Sequence, residues 1–445
     1  MKKYDNYKDS GVEWIGKIPE HWDRIRIKSL VAIKVTDGPH ETPQWIENGV
    51  PFISAEAIKG NKIDLDFKRG YISTEQHLEY CKKSKVLKND ILFCKSGSTT
   101  GKSALVDTDV DFGIWSPLAI IRADKNKIDY KYLFQSIQSS LFQNQVETAW
   151  TFGTQPNIGM GALENLWIAI PTLEEQQSIA NYLDHKTTQI DTLIAKKEQF
   201  ISLLQEERTA VINQAVTKGL DPKVKMKDSG IEWLGEIPEH WEVKRMKYVI
   251  KTPLKYGANE SAEDEILEDP RYIRITDFGN DGKLRKNTFK SLSLDKAENF
   301  LLEEGDILFA RSGATVGKTF FFKDYKGVAC FAGYLIKASC DPMIMKSEFL
   351  YEFTNSSGYE NWKQSIFQQS TIQNIGADKY NQLKIGVPPI AEQQKIIDFI
   401  TSKINEIDTL ISKSQQEIEL LKEYKTALIS EVVTGKVDVR DVILN

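Results

Sequence analysis

The chain has 445 residues, room for two to four domains, and its 41% hydrophobic share supports ordinary globular cores. A net charge of -5 argues against binding a polyanion over the whole surface. It leaves room for a basic cleft on an acidic body, because charge acts within a Debye length of about 8–10 Å. No window approaches the ~18 consecutive apolar residues of a membrane span, and the opening MKKYDNYKDSG has no apolar run behind its lysines, so it does not read as a secretion signal. Cys81, Cys94, Cys330 and Cys340 show no CxxC spacing and read as reduced thiols of a cytoplasmic protein; five scattered histidines without HExxH give no metal site.

The chain is one unit of about 217 residues written twice, in the order lead-in, globular segment, long helix. Asp9–Trp22, DSGVEWIGKIPEHW, returns as Asp228–Trp241 with eleven of fourteen positions identical. Its tryptophans (Trp14, Trp22, Trp233, Trp241) read as packing groups. His21 and His240 have no Ser or Cys triad pattern beside them.

The globular segments, 24–171 and 243–388, read as mixed α/β. Short apolar runs bounded by turns predict strands at Val50–Ser54, Asp90–Cys94, Pro117–Arg122 and Leu166–Ile170. The second segment has them at Tyr272–Thr276, Asp306–Ala310 and Leu335–Ala338. Tyr130–Ser139 and Lys346–Asn355 read as helices. The first part of each segment matches its counterpart poorly: VTDGPHETPQW stands where KTPLKYGANES stands in the second. Diverged inserts on a duplicated scaffold suggest two recognition surfaces that read different things. Asn259–Pro270, with six acids and no base, reads as a solvated loop away from any phosphate.

Several loops carry groups suited to nucleic acid. Thr36–Thr42, TDGPHET, offers Asp37 and His40 to base edges. Asp90–Ser103, DILFCKSGSTTGKS, returns as Asp306–Thr319, DILFARSGATVGKT. The glycines are one residue too close for a P-loop, and a strand, not a helix, is expected to follow. A tight loop carrying Lys95, Ser98, Thr99, Thr100 and Lys102, or Arg311, Ser312, Thr315 and Lys318, suits a phosphodiester backbone; the competing reading is a plain β-turn with solvated lysines. Trp150–Asn157 offers Thr154, Gln155 and Asn157. Gln368–Asn374 offers Gln369, Thr371 and Gln373, amides and hydroxyls able to pair with bases. Arg274 and Thr276 stand at the end of a predicted strand as further candidates.

The two stretches Leu173–Thr217 and Ile390–Thr434 contain no proline and no glycine, and each predicts a helix of roughly 65 Å. A heptad frame places Ile179, Leu183, Lys186, Ile190, Leu193, Lys197, Phe200, Leu204, Glu207 and Val211 inward. Adding 217 gives Ile396, Ile400, Lys403, Ile407, Leu410, Ser414, Glu417, Leu421, Tyr424 and Leu428. Two rods of one length and pattern are expected to lie side by side; the alternative is two amphipathic helices, each packed on its own domain. No catalytic motif emerges: Val387–Ile390, VPPI, is only a near miss to the [DN]PP[YF] of amino-methyltransferases.

The lead-in, the DILF…SG…GK turn, the TQPNI…L…IAIP run and the rod opening EEQQSIANYLD…IDTLI, each present twice, resemble the specificity subunit of type I restriction–modification systems over essentially the whole chain. The resemblance implies α/β (α+β) recognition domains alternating with long helices, two pseudo-symmetric repeats joined by an antiparallel two-helix coiled coil. Its boundaries here would be 1–171 and 220–388 for the recognition domains, with spacer helices at 172–219 and 389–445. It implies double-stranded DNA as ligand, two methyltransferase subunits and restriction subunits as partners, and no catalytic residue or cofactor on this chain. S-adenosylmethionine, ATP and Mg would sit on the partner subunits. The alternative class is a coiled-coil adaptor that never touches DNA.

Overall fold

The computed structural model describes residues 2–150, 155–261, 265–279, 282–313, 315–367 and 374–443. The chain divides into two compact units, residues 1–198 with 415–445, and residues 199–414. Each holds one globular segment and a stretch of both long helices.

In the first unit, strands β1 (Asp23–Arg26), β2 (Thr36–Asp37), β3 (Val50–Ile53) and β4 (Gly70–Ile72) precede helix α1 (Thr74–Ser84). Then come β5 (Ile91–Cys94), β6 (Ser103–Leu105), β7 (Gly113–Ile114) and β8 (Leu118–Ile121). Helices α2 (Tyr130–Gln138) and α3 (Ser140–Thr148), strand β9 (Trp167–Ile170) and the long helix α4 (Leu173–Lys218) follow. The central antiparallel sheet has the order β6-β5-β8-β2. A second sheet, β7-β3-β4, pairs β7 with β3 in parallel.

The apolar runs ILFC and LAII form β5 and β8 because both sheet faces are covered. Period-two alternation sends Ile91, Phe93, Ala119 and Ile121 into one core with Tyr132 and Leu133 of α2. It sends Leu92, Cys94, Leu118 and Ile120 into another with Ile53 and Ile114. Asp129 caps α2, accepting from the backbone of Lys131 and Tyr132.

The second unit repeats this. Strands β10 (Glu242–Arg245), β11 (Lys255–Tyr256) and β12 (Arg271–Ile273) precede β13 (Ile307–Ala310), β14 (Thr319–Phe321), β15 (Ala329–Phe331) and β16 (Leu335–Ala338). Helices α5 (Ser347–Phe353) and α6 (Ser357–Phe367), strand β17 (Lys384–Val387) and the long helix α7 (Ile390–Val433) complete it. The sheet order β11-β16-β13-β14 copies the first. β12 pairs with β15 in parallel, as β3 does with β7. The poorly matching inserts share this parallel pair, but the first adds β4 alongside β3, whereas the sheet of the second has two strands among the described residues. Tyr272–Thr276 departs from the predicted strand: the strand ends at Ile273, and Ile275–Asp277 is a 3₁₀ turn.

The second tryptophan of each lead-in locks onto the start of a long helix. Fully buried Trp22 donates from Nε1 to Glu175 of α4 (3.2 Å), and His21 Nε2 lies 3.0 Å from the same carboxylate. Trp241 and His240 hold Glu392 of α7 in the same way (3.1 and 2.7 Å). The long helices stop at Gly219 and Gly435, whose φ of +72° and +71° an L side chain resists. In the first unit the last turn closes onto the first residues: the Asp438 amide donates to the Lys2 carbonyl (2.9 Å).

Within the first unit the two helices run antiparallel, since Asp191 pairs with Lys425 (2.6 Å) and Lys197 with Glu417. In the second, Arg208 meets Asp408 (3.7 Å), the pair that repeat symmetry derives from Lys425 and Asp191. The seam differs from the predicted frame. Leu193, Phe200 and Leu410 are each 43% exposed, and Tyr424 is 48% exposed. Glu207 and Glu417 also face solvent, whereas Ile194, Ile201, Arg208, Ile411, Ile418 and Lys425 turn inward. Leu183, Ile190, Lys197, Leu204 and Val211 keep their predicted places, as do Ile400, Ile407, Ser414, Leu421 and Leu428. Adjacent apolar pairs such as Leu193–Ile194, Phe200–Ile201 and Leu410–Ile411 satisfy either frame on hydrophobicity, and only packing chooses between them.

Candidate nucleic-acid interface

The hairpin between β5 and β6 turns through Gly97 and Gly101, with φ of +94° and +95°. These values place the loop in the left-handed region that glycine adopts without strain. The loop is stitched to the polar segment after α3. The Gly97 amide donates to the Pro156 carbonyl (3.0 Å), and the Ile158 amide to the Lys95 carbonyl (2.8 Å). Thr100 Oγ1 donates to the carbonyls of Gly97 (2.7 Å) and Pro156 (3.0 Å). Thr100 is thus a brace rather than a free donor. Ser98, Lys102, Gln155 and Asn157 are exposed and Thr99 is half-buried. Thr154 lies outside the described residues.

The TDGPHET loop joins them through Asp37, though not as the sequence suggested. Asp37 is fully buried and takes three partners: Lys83 (2.7 Å), Lys95 (3.1 Å) and His40 (3.0 Å). Burial pushes its carboxyl up, but the two ammonium groups outweigh it and hold Asp37 below the ordinary carboxylate range. With no exposed edge, Asp37 cannot meet a base; its part is to position Lys95 and His40. Lys95 is itself only 13% exposed. His40 stays open to solvent.

In the second unit the β13–β14 hairpin turns through Gly313 and Gly317, φ +81° and +79°. The Arg311 amide donates to the Tyr334 carbonyl (3.0 Å), and its own carbonyl accepts from the Ile375 amide (2.8 Å). Ser312 bridges to Asn374 as Ser96 does to Asn157. Thr315 is exposed, and Ser312 and Lys318 are half-buried. Gln369, Thr371 and Gln373 lie outside the described residues. Tyr256 stands at the place of Asp37, with the Arg311 guanidinium 4.9 Å from its ring centroid. Sequence reasoning passed over Tyr256, because its equivalence to Asp37 shows only in the strand pairing: Tyr256 lies opposite Ile336 as Asp37 lies opposite Ala119.

Arg274 is taken up internally. It bonds Asp277 through its amide and Nε (2.7 and 3.1 Å) and donates from Nη2 to the Thr288 carbonyl (2.7 Å). Thr276 is exposed on the 3₁₀ turn rather than on a strand. The reactive-looking groups are also quiet. Burial pushes Cys94 up to about 11 and Cys330 and Cys340 up to about 12, leaving protonated thiols at neutral pH. Cys81 lies 3.4 Å from His77 Nε2, which faces Asp111 (3.0 Å), and burial holds the Cys81 thiol above its ordinary range.

Each unit thus carries one loop-bearing four-stranded sheet of the same order together with a stretch of both long helices. The family model for the type I restriction modification DNA specificity domain matches residues 19–202 and again 238–420, and the chain belongs to this family. It is 27% identical over 443 residues to the type I restriction enzyme MjaVIII specificity subunit of Methanocaldococcus jannaschii, covering 96% of this chain and 95% of that one. It is 22% identical to the EcoKI specificity subunit of Escherichia coli, covering 95% and 90%. Among solved structures, a chain from work on complex assembly and conformational transition of the type I R-M system superposes with a TM-score of 0.73 at 16% identity, covering 94% of this chain and 99% of that one. The HsdS subunit from Thermoanaerobacter tengcongensis gives 0.56 at 17% identity, covering 94% and 98%. No helix among the described residues is long and apolar enough to cross a membrane.

Proposed function

We infer that this chain is the DNA specificity subunit of a type I restriction–modification complex, itself without catalysis, and that its two recognition domains (1–171 and 220–388) bind the halves of an asymmetric, bipartite site. One observation carries this reading. The same hairpin and partner loop are built twice, while the residue beneath them changes from Asp37 to Tyr256. The backbone contacts come from Ser98, Thr99, Lys102, Thr315 and Lys318; base contacts come from His40, Gln155, Asn157 and the amides near 368–374. The spacer helices, 172–219 and 389–445, set the distance between half-sites, and the complex works in the cytoplasm.

Two methyltransferase subunits dock on this chain and restriction subunits join them. Apolar side chains left outside the seam support protein partners in both units: Leu193, Leu420 and Tyr424 in the first, Phe200, Leu203 and Leu410 in the second. The test is methylation mapping in cells that express the chain with its cognate methyltransferase subunit. A split motif, two short blocks around a fixed unspecified run, is expected. An assembled complex that adds no methylated motif would favour the protein-only adaptor.

A further inference from the structure

In the first unit the cation at the base of the hairpin is already paired: the Lys95 ammonium is 3.1 Å from a buried carboxylate that also holds Lys83. Its counterpart in the second unit is not. Arg311 forms no ion pair and donates no side-chain hydrogen bond among the described residues, and its Nε is buried without a partner. What holds it is shape. Its backbone is pinned on both sides, by Tyr334 and by Ile375. Its guanidinium lies over Tyr256, whose ring is fixed in turn: β11 pairs with β16, and the Tyr256 hydroxyl accepts from the Ala377 amide (2.9 Å).

A guanidinium held over an aromatic ring, with Nη donors that nothing among the described residues takes up, is preorganised for a planar acceptor pair. In duplex DNA that pair is O6 and N7 of guanine in the major groove. We propose that Arg311, oriented by Tyr256, is a specificity-determining residue that imposes a guanine in the second half-site. Lys95, tied to Asp37, imposes none through its side chain. The proposal rests on the DNA-binding reading above and goes further by naming the residue and the base.

The experiment uses the whole chain assembled with its methyltransferase subunits. Motifs are mapped for the wild type, Arg311→Ala, Arg311→Lys and Tyr256→Leu, with assembly checked by gel filtration and folding by thermal melt. The wild type is expected to require a guanine in its second block. Arg311→Ala and Arg311→Lys should both relax that one position, by about 5- to 150-fold in discrimination, and leave the first block intact. The lysine variant keeps the charge but not the fork, and it decides the matter if the alanine variant does not assemble. Tyr256→Leu should relax the same position more weakly. Uniformly weaker methylation with both blocks unchanged would make Arg311 a phosphate contact and overturn the proposal. So would a second block without guanine, or a change confined to the first block. A wild-type complex with no split motif would instead fell the functional reading itself.

Discussion

Lys95 over Asp37 and Arg311 over Tyr256 occupy one place in two copies of the same sheet. The backbone around them is the same: a hairpin with two left-handed glycines, bridged to the loop after the helix pair. The electrostatics are opposite. In the first unit a buried carboxylate gathers Lys83, Lys95 and His40, so positive charge is taken up in holding the loops together. In the second, an aromatic ring holds the cation without neutralising it. A duplicated scaffold thus changes the charge beneath the hairpin while keeping its two left-handed glycines.

The largest expected effect breaks the first of these arrangements. Asp37→Ala strands Lys95 in a site where it is barely exposed, and should cost about 3–5 kcal/mol by urea denaturation. Tyr256→Phe keeps the ring, loses only the acceptor for the Ala377 amide, and should cost about 0.5–1.5 kcal/mol. Equal costs would refute the contrast. The same pair differs in acid. Because Asp37 is held below its unfolded value, its contribution is complete at neutral pH. It fades as pH falls below about 4, the unfolded carboxylate value, toward the lower folded one. Asp37→Asn should therefore flatten the acid limb of the stability profile, and Tyr256→Phe should leave it unchanged.

Next in size is the helix seam. Ile418→Ala, at a buried position of the first unit, should cost about 2–5 kcal/mol. Leu410→Ala, at an exposed position of the second, should stay within about 0.5 kcal/mol. The reverse order, measured by thermal melts, would restore the frame read from sequence. The lead-in locks come third. Trp22→Phe removes a donor to Glu175, whose side chain is 5% exposed, and should cost about 1.5–3 kcal/mol. Trp241→Phe acts on the more open Glu392 and should cost less. The smallest effect belongs to the symmetry-related ion pairs: Asp191→Asn and Asp408→Asn should each change stability by about 0–1 kcal/mol, since both carboxylates are more than half exposed.

Much of this architecture is legible in the sequence because it rests on local or periodic signals. The lead-ins match at eleven of fourteen positions, and the hairpin and helix segments recur at nearly the same offset. The runs ILFC and LAII mark strands covered on both faces, and the GK loops have one residue too few between their glycines to wrap a nucleotide phosphate. The long helices follow from the lack of breakers over more than forty residues.

What pattern could not supply is whichever choice depends on atoms distant in the chain. Asp37 is a polar residue in a polar loop, and nothing near it shows that Lys83 and Lys95 will converge on it and seal it from solvent. Arg274 looks available until Asp277 and the Thr288 carbonyl claim it. Leu193 and Ile194 are equally apolar, so the seam is decided by which of them the partner helix can accommodate. The duplication, the elements and the outward-facing loops are thus written in the order of the residues. Which side chains those loops leave free is settled in three dimensions, because charge pairing and burial join residues that lie tens of positions apart.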